Sequence, residues 1–129
     1  MIKSGILNPH LLDLLARVRH TNTLVIADRG FPYWPGIETV DISLVDNIPT
    51  VLDVLRALAP NFKIGGAWMA EEFLKSNPEG ELAKVRAILK DLPITLEAHS
   101  DFKKRVPQAI GLIRTADTTQ YANIILESA

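Results

Sequence analysis

The apolar pattern of this chain switches between a helical period and an extended one from end to end. That alternation restricts it to an α/β architecture, a sheet covered by helices. The first helical stretch opens at Asn8-Pro9, a capping side chain followed by proline at the first helical position. Leu11, Leu12, Leu14, Leu15 and Val18 then recur at helical spacing up to His20. Thr21 to Ala27 predicts a strand, because Leu24-Val25-Ile26-Ala27 is an unbroken apolar run. Asp28 to Gly36 carries Gly30, Pro32, Pro35 and three aromatics, Phe31, Tyr33 and Trp34, and predicts an irregular, unusually aromatic loop.

The remainder keeps alternating. Glu38 to Leu44 predicts a strand, and Pro49 opens a helix carrying Val51, Leu52, Val54, Leu55 and Leu58 that ends at Pro60. Phe62 to Met69 predicts a strand in which Gly65-Gly66 marks a bulge or a close backbone approach. Glu71 to Lys75 predicts a short helix, with Glu71-Glu72 as its solvated start, and Asn77-Pro78 breaks it. Glu81 to Lys90 predicts an amphipathic helix, and Ile94 to Ala98 a short strand. Ser100 or Asp101 is a candidate cap for a helix running to Arg105, and Gln108 to Arg114 and Tyr121 to Leu126 predict the last strands. With 129 residues and no linker, repeat or low-complexity tract, the expectation is one domain, 1-129. Its fold class is an α/β sandwich with a central mixed β-sheet flanked by helices.

Composition narrows the function classes. A net charge of -1 gives no basic face for nucleic acid. The absence of cysteine removes disulfides, zinc-thiolate sites and thiol catalysis. No apolar run reaches the roughly 20 residues that span a bilayer, and Met1-Ile2-Lys3-Ser4-Gly5 carries no apolar leader, so the expected setting is cytoplasmic. A phosphate loop with its lysine, a close histidine pair for a metal and a nucleophile-elbow serine are all missing. The expectation is therefore no metal and no cofactor.

The candidate residues each allow a plain reading. His20 follows a helix, where the dipole favours an imidazole, and precedes a strand, where it could serve as an acid or base near neutral pH. Asp28 ends that strand; it could form a turn through its own backbone, or face a ligand at the strand end. His99 stands at the end of another strand, and Lys103, four residues on, would share its helix face. His10, in the first helical turn, reads as a surface residue. Tyr121 and Asn123, two apart on a predicted strand, would point to one side and offer a phenol and an amide to sugar hydroxyls.

Taken together, these segments resemble the family of D-ribose pyranases and L-fucose mutarotases, the ribose branch more closely. The resemblance runs through I-L-N-P-H-L-L, H-T-N-T-L-V-I-A-D-R-G-F-P, V-D-I-S-L, I-P-T-V-L-D-V-L, A-E-E with a following N-P, H-S-D-F-K and I-R-T-A-D-T-T-Q-Y-A-N-I-I-L. It implies a cofactor-free isomerase that interconverts the cyclic forms of a free monosaccharide through the open-chain aldehyde. It further implies a ring-forming homo-oligomer, pentameric rings or a decamer, with sites at subunit boundaries. By matching position, His20 would be the general acid, and Asp28 would hold a sugar hydroxyl or orient the imidazole. His99 would bind substrate and act as partner base. Lys103, Tyr121, Ala122 and Asn123 would bind the sugar, Ala122 through its backbone. Phe31-Pro32 is closer to the fucose branch, which leaves L-fucose or another sugar as the alternative substrate. Arg19 and Arg29 depart from the ribose branch. A non-catalytic sugar-binding or transport-accessory protein is the alternative from another class.

Overall fold

The computed structural model describes residues 1–129 as a six-stranded sheet with helices on both faces. The strands are β1 (Thr23–Ala27), β2 (Glu38–Asp41), β3 (Ile64–Ala70), β4 (Ile94–Glu97), β5 (Gly111–Arg114) and β6 (Ile124–Ser128). The helices are α1 (Pro9–Arg17), α2 (Val51–Leu58), α3 (Glu72–Ser76), α4 (Glu81–Leu89) and α5 (His99–Arg105), followed by a 3-10 turn at Val106–Gln108. The sheet order is β2-β5-β1-β6-β3-β4. Pairing is parallel for β2 with β5, β5 with β1 and β3 with β4, and antiparallel for β6 with both its neighbours. Five strands thus run one way and β6 runs back between them, which is the mixed sheet that the alternating pattern predicts.

Each face of the sheet buries alternate side chains. Leu24 and Ile26 of β1, with Ile113, Ile124, Leu126 and Met69, meet Leu11 and Leu14 of α1, Val54, Leu55 and Leu58 of α2, and Val85 and Leu89 of α4. Val25 and Ala27 point the other way, into a smaller core with Leu112, Ile125, Phe31, Phe102 and Val106. On the larger face, α1 lies very close to the sheet. A Cβ on Gly111 would sit 2.6 Å from Leu14 Cδ1, so glycine at that position is what permits the approach.

The helix starts follow local chemistry. Asn8 Oδ1 accepts the His10 and Leu11 N–H groups at 3.0 Å, as its capping position predicts. Thr50 and Asp53 form a reciprocal capping box on α2, at 3.1 and 2.9 Å. The predicted bulge is present: the register of β3 against β6 shifts between Ile64 and Gly66.

Several boundaries differ from expectation: β1 starts at Thr23 and not Thr21, β2 ends at Asp41 and not Leu44, and β3 runs Ile64–Ala70 and not from Phe62 to Met69. The helix α1 stops at Arg17 because Val18 turns extended, and the Arg19 guanidinium then donates to the Ala16 and Val18 carbonyls at 2.6 and 2.9 Å. The strand β5 begins at Gly111, the residues from 106 having been drawn into the 3-10 turn. Neither Ser100 nor Asp101 caps α5, which starts at His99; its first N–H is taken by Glu72, a partner from the start of α3 that local sequence does not reveal. The strand β6 begins at Ile124, so Tyr121 and Asn123 lie on the turn before it and not on one face of a strand. Tyr121 has φ +56°, a left-handed conformation uncommon outside glycine and asparagine.

Candidate functional site

Because β6 runs against its neighbours, its first residues reach the same sheet end as the last residues of β1, β3, β4 and β5. Asp28 follows β1, His99 follows β4, Thr115 to Gln120 follow β5, and Tyr121 to Asn123 precede β6. They meet around a cavity of about 450 Å³. Its mostly polar wall includes Asp28, Arg29, Phe31, His99, Asp117, Tyr121 and Asn123. Strand ends of this kind are where α/β sheets collect ligands.

Asp28 and Asn123 are locked to each other. The Asp28 N–H donates to Asn123 Oδ1 at 2.8 Å, and Asn123 Nδ2 donates to Asp28 Oδ2 at 3.0 Å. Asp28 Oδ1 accepts the Gly30 N–H at 2.9 Å, the turn that an Asp-x-Gly sequence favours. Burial pushes the Asp28 carboxyl above its ordinary pKa, and the Gly30 N–H and Asn123 amide pull it back in part. The result is a half-buried carboxyl group of fixed orientation on the cavity wall.

The loop after β1 is held from β5. The Arg114 guanidinium donates to the carbonyls of Asp28, Arg29 and Pro32 at 3.2, 3.3 and 3.3 Å. The Arg29 N–H donates to Asp117 O at 3.0 Å, and the Arg29 side chain pairs with Asp46 at the cavity rim. Asp117 is itself buried, with Oδ2 accepting Val51 N–H at 2.9 Å and Oδ1 accepting Thr119 N–H at 2.8 Å. Its carboxylate therefore joins the start of α2 to the D-T-T-Q turn, and both oxygens are used structurally.

His99 is enclosed by rings. Phe102 stacks on it at 6.0 Å between centroids, while Phe31 and Tyr121 approach edge-on at 6.2 and 5.0 Å. The left-handed backbone at Tyr121 brings its ring there, an example of unfavourable backbone geometry concentrated at a site. Burial lowers the His99 pKa, the Lys103 ammonium lowers it further, and the Glu72 and Asp28 carboxylates oppose both.

The remaining expectations separate. Lys103 lies one turn beyond His99 on α5, close enough to act on it electrostatically, but it does not line the cavity. Ala122 is buried, and its N–H donates to Thr119 O at 3.4 Å. His20 is exposed at the opposite end of the sheet, beside the C-terminal end of β6, where Thr21 N–H donates to Ser128 O at 2.9 Å. At about 3.3 Å per residue, the five residues of β1 alone separate that end from Asp28 by about 16 Å. Arg19 is with His20, and Arg29 is at the cavity.

Three contributors were missed. Glu72, read as part of a solvated helix start, instead accepts the His99 N–H at 2.9 Å. Asp117 and Arg114 organise the loops. The polar string Asp117-Thr118-Thr119-Gln120 between two apolar strands was the available signal for the first of these. The aromatic loop also points inward: Phe31 is 5% exposed and Trp34 packs beside it, which leaves Tyr33, 70% exposed, as the outward ring.

The profile of the "RbsD / FucU transport protein family" matches residues 1–129. A D-ribose pyranase of Geobacillus kaustophilus is 42% identical over 128 residues, covering 99% of this chain and 93% of that protein. One from Bacillus licheniformis is 38% identical, covering 99% and 97%. The solved structure of Bacillus subtilis RbsD complexed with D-ribose superposes with a TM-score of 0.92 at 35% identity, covering 100% of this chain and 98% of that one. The fucose mutarotase of Streptococcus pneumoniae in complex with L-fucose superposes at 0.81 with 20% identity, covering 95% and 92%, which establishes likeness of fold.

Proposed function

The chain belongs to the RbsD / FucU transport protein family over its whole length, and on that premise we propose that it is a sugar-ring isomerase of the D-ribose pyranase type. It interconverts β-D-ribopyranose and β-D-ribofuranose without a cofactor. The observation that carries this reading is the meeting of Asp28, His99, Tyr121 and Asn123 in one polar cavity of a chain 42% identical to a D-ribose pyranase.

The chemistry follows from those groups. A base removes the proton of the anomeric hydroxyl while an acid protonates the ring oxygen. The bond from C1 to the ring oxygen breaks and the aldehyde forms. The hydroxyl on C4 then adds to C1, gives up its proton, and the former carbonyl oxygen takes one. No atom is gained or lost. Positioned acid/base groups contribute about 10²–10⁴-fold to such steps, which is useful for a reaction that already proceeds unaided. In this reading His20 is the proton donor and Asp28 accepts a sugar hydroxyl through a carboxylate held by Asn123. His99, Tyr121 and Asn123 bind the sugar, with Ala122 offering backbone and Lys103 acting through its charge.

The proposal includes a homo-oligomer of pentameric rings, paired into a decamer, in which His20 of one copy completes the cavity of a neighbour. Its support is the exposure of His20 at the sheet end far from Asp28. No helix is long and apolar enough to cross a membrane, and a cytoplasmic site of action belongs to the proposal. L-Fucose is the weaker substrate reading, since this chain is 42% identical to a D-ribose pyranase and 20% identical to the fucose mutarotase.

Saturation-transfer NMR on D-ribose at equilibrium tests the activity. Faster pyranose–furanose exchange, lost in His20→Ala, supports the reading. Acceleration confined to another sugar reassigns the substrate. Sugar binding without acceleration leaves a binding protein.

A further inference from the structure

His99 is buried at Nδ1 and forms part of the cavity wall. Its Nδ1 is enclosed and has no hydrogen-bond partner. The structure assigns His99 one form, the neutral imidazole with its proton on Nε2, which serves the site as a fixed hydrogen-bond donor to a sugar oxygen and not as the base. The catalytic consequence rests on the activity proposed above; the tautomer does not.

The argument is one of hydrogen-bond accounting. A neutral imidazole carries its proton on either nitrogen, and the imidazolium carries one on each. A proton on Nδ1 would be a buried donor with no acceptor, which costs about 1–3 kcal/mol. The imidazolium would incur that same loss and add a charge in a half-buried place. Only the form with Nε2–H leaves no buried donor stranded. The packing fixes the plane of the ring: Phe102 is stacked at an interplanar angle of 14°, and Tyr121 and Phe31 are edge-on at 81° and 78°.

The charged groups around the ring do not rescue the cation. Lys103, on the same helix, opposes it. Glu72, from α3, spends a carboxylate oxygen on the His99 backbone N–H and not on the ring. Asp28, at the end of β1, has one oxygen on Gly30 and the other on Asn123. Tyr121 presents its ring edge. Burial, the largest influence, also favours the neutral form.

A base must offer a lone pair to the substrate. In this tautomer the only lone pair is on Nδ1, which the substrate cannot reach. Nε2–H can instead donate to the ring oxygen or the anomeric oxygen and steady the charge that develops there, and its proton stays in place. The transferred protons are left to Asp28 and His20.

The test uses the intact oligomer labelled with 15N-histidine, and records long-range 1H–15N correlations from pH 8 to 5.5. Signals are assigned with His10→Gln and His20→Gln. The expected result is one histidine with protonated Nε2 and bare Nδ1 that takes up its second proton only below the ordinary imidazole value. A proton on Nδ1, averaging between tautomers, or titration near pH 6.5, the ordinary value, overturns the assignment. In ribose exchange, His99→Gln keeps an N–H donor and removes any base. Activity within about tenfold of the parent is expected, since losing a general base costs roughly 10²–10⁴-fold. Equal loss in His99→Gln and His99→Ala overturns the donor role. A parent protein inactive on every sugar would overturn the proposed function and leave the NMR result to decide the tautomer.

Discussion

Replacing Asn123 by alanine isolates the contact that holds the Asp28 carboxylate. Asn123 is 3% exposed and makes two bonds to one residue. The variant leaves the Asp28 N–H without an acceptor, at about 1–3 kcal/mol, and deprives the carboxylate of a charge-assisted bond of about 1.5–3 kcal/mol. Partial relaxation brings the expected loss to about 3 kcal/mol at pH 7. With a urea slope of about 2 kcal/mol/M, the unfolding midpoint falls by about 1.5 M at fixed protomer concentration.

The loss must also depend on pH. Burial raises the folded pKa of Asp28 above the unfolded value of about 3.9. A folded state that keeps the proton longer loses stability as pH rises from that unfolded value through the raised folded one. The Asn123 amide offsets part of this by favouring the carboxylate, and alanine removes the offset. Toward pH 4, where the raised pKa leaves more of the carboxyl neutral than an ordinary Asp would be, the missing bond is more nearly an ordinary one, worth about half as much. The expected penalty there is smaller by about 1 kcal/mol. Urea titrations of parent and variant at pH 4 and pH 7 measure the difference. An equal penalty at both, or a larger one at pH 4, would refute the idea that the amide serves the ionised form.

Three other outcomes are expected. His20→Ala and Asp28→Ala should each abolish ribose exchange, yet regain a fraction of it when unfolded and refolded together, because some sites then draw both intact groups from different copies; no recovery on mixing removes the shared site. Gly111→Ala should lower stability by about 1–3 kcal/mol through overpacking, since the new methyl meets Leu14 at 2.6 Å, and an unchanged Tm would show that α1 shifts freely. Glu72→Ala should raise the KM for ribose and cost about 1 kcal/mol of stability by freeing the His99 N–H. Glu72→Gln, which retains an acceptor oxygen, should restore both; failure to restore would assign the effect to charge.

The fold was legible where local chemistry decides it. Asn8-Pro9 announced α1, and the apolar run from Leu24 announced β1, whose burial on both faces explains its lack of alternation. Gly65-Gly66 announced the bulge. Expectation failed where a distant partner decides. The cap of α5 comes from Glu72, 27 residues earlier. The start of β6 was misplaced because Tyr121-Ala122-Asn123 continues smoothly into an apolar strand, yet Asn123 turns its amide back to Asp28, 95 residues away. The His99–Lys103 relation was readable because helical spacing is local.

The site was less legible for a topological reason. Asp28, His99, Tyr121 and Asn123 sit on separate connections, and only strand order and direction bring them to one end. Had β6 run parallel to β1, Tyr121 and Asn123 would lie at the far end with His20. The reversal of that one strand therefore makes the cavity wall and, by the same step, leaves His20 outside it. The sequence run from His20 to Asp28 looks like a single acid/base unit, yet an extended strand between two groups drives them apart. A histidine so placed can serve a cavity at the opposite end only from another copy of the chain. The competing account, a bystander imidazole after α1, predicts full activity for His20→Ala, so the choice between a one-chain and a shared site depends on that substitution.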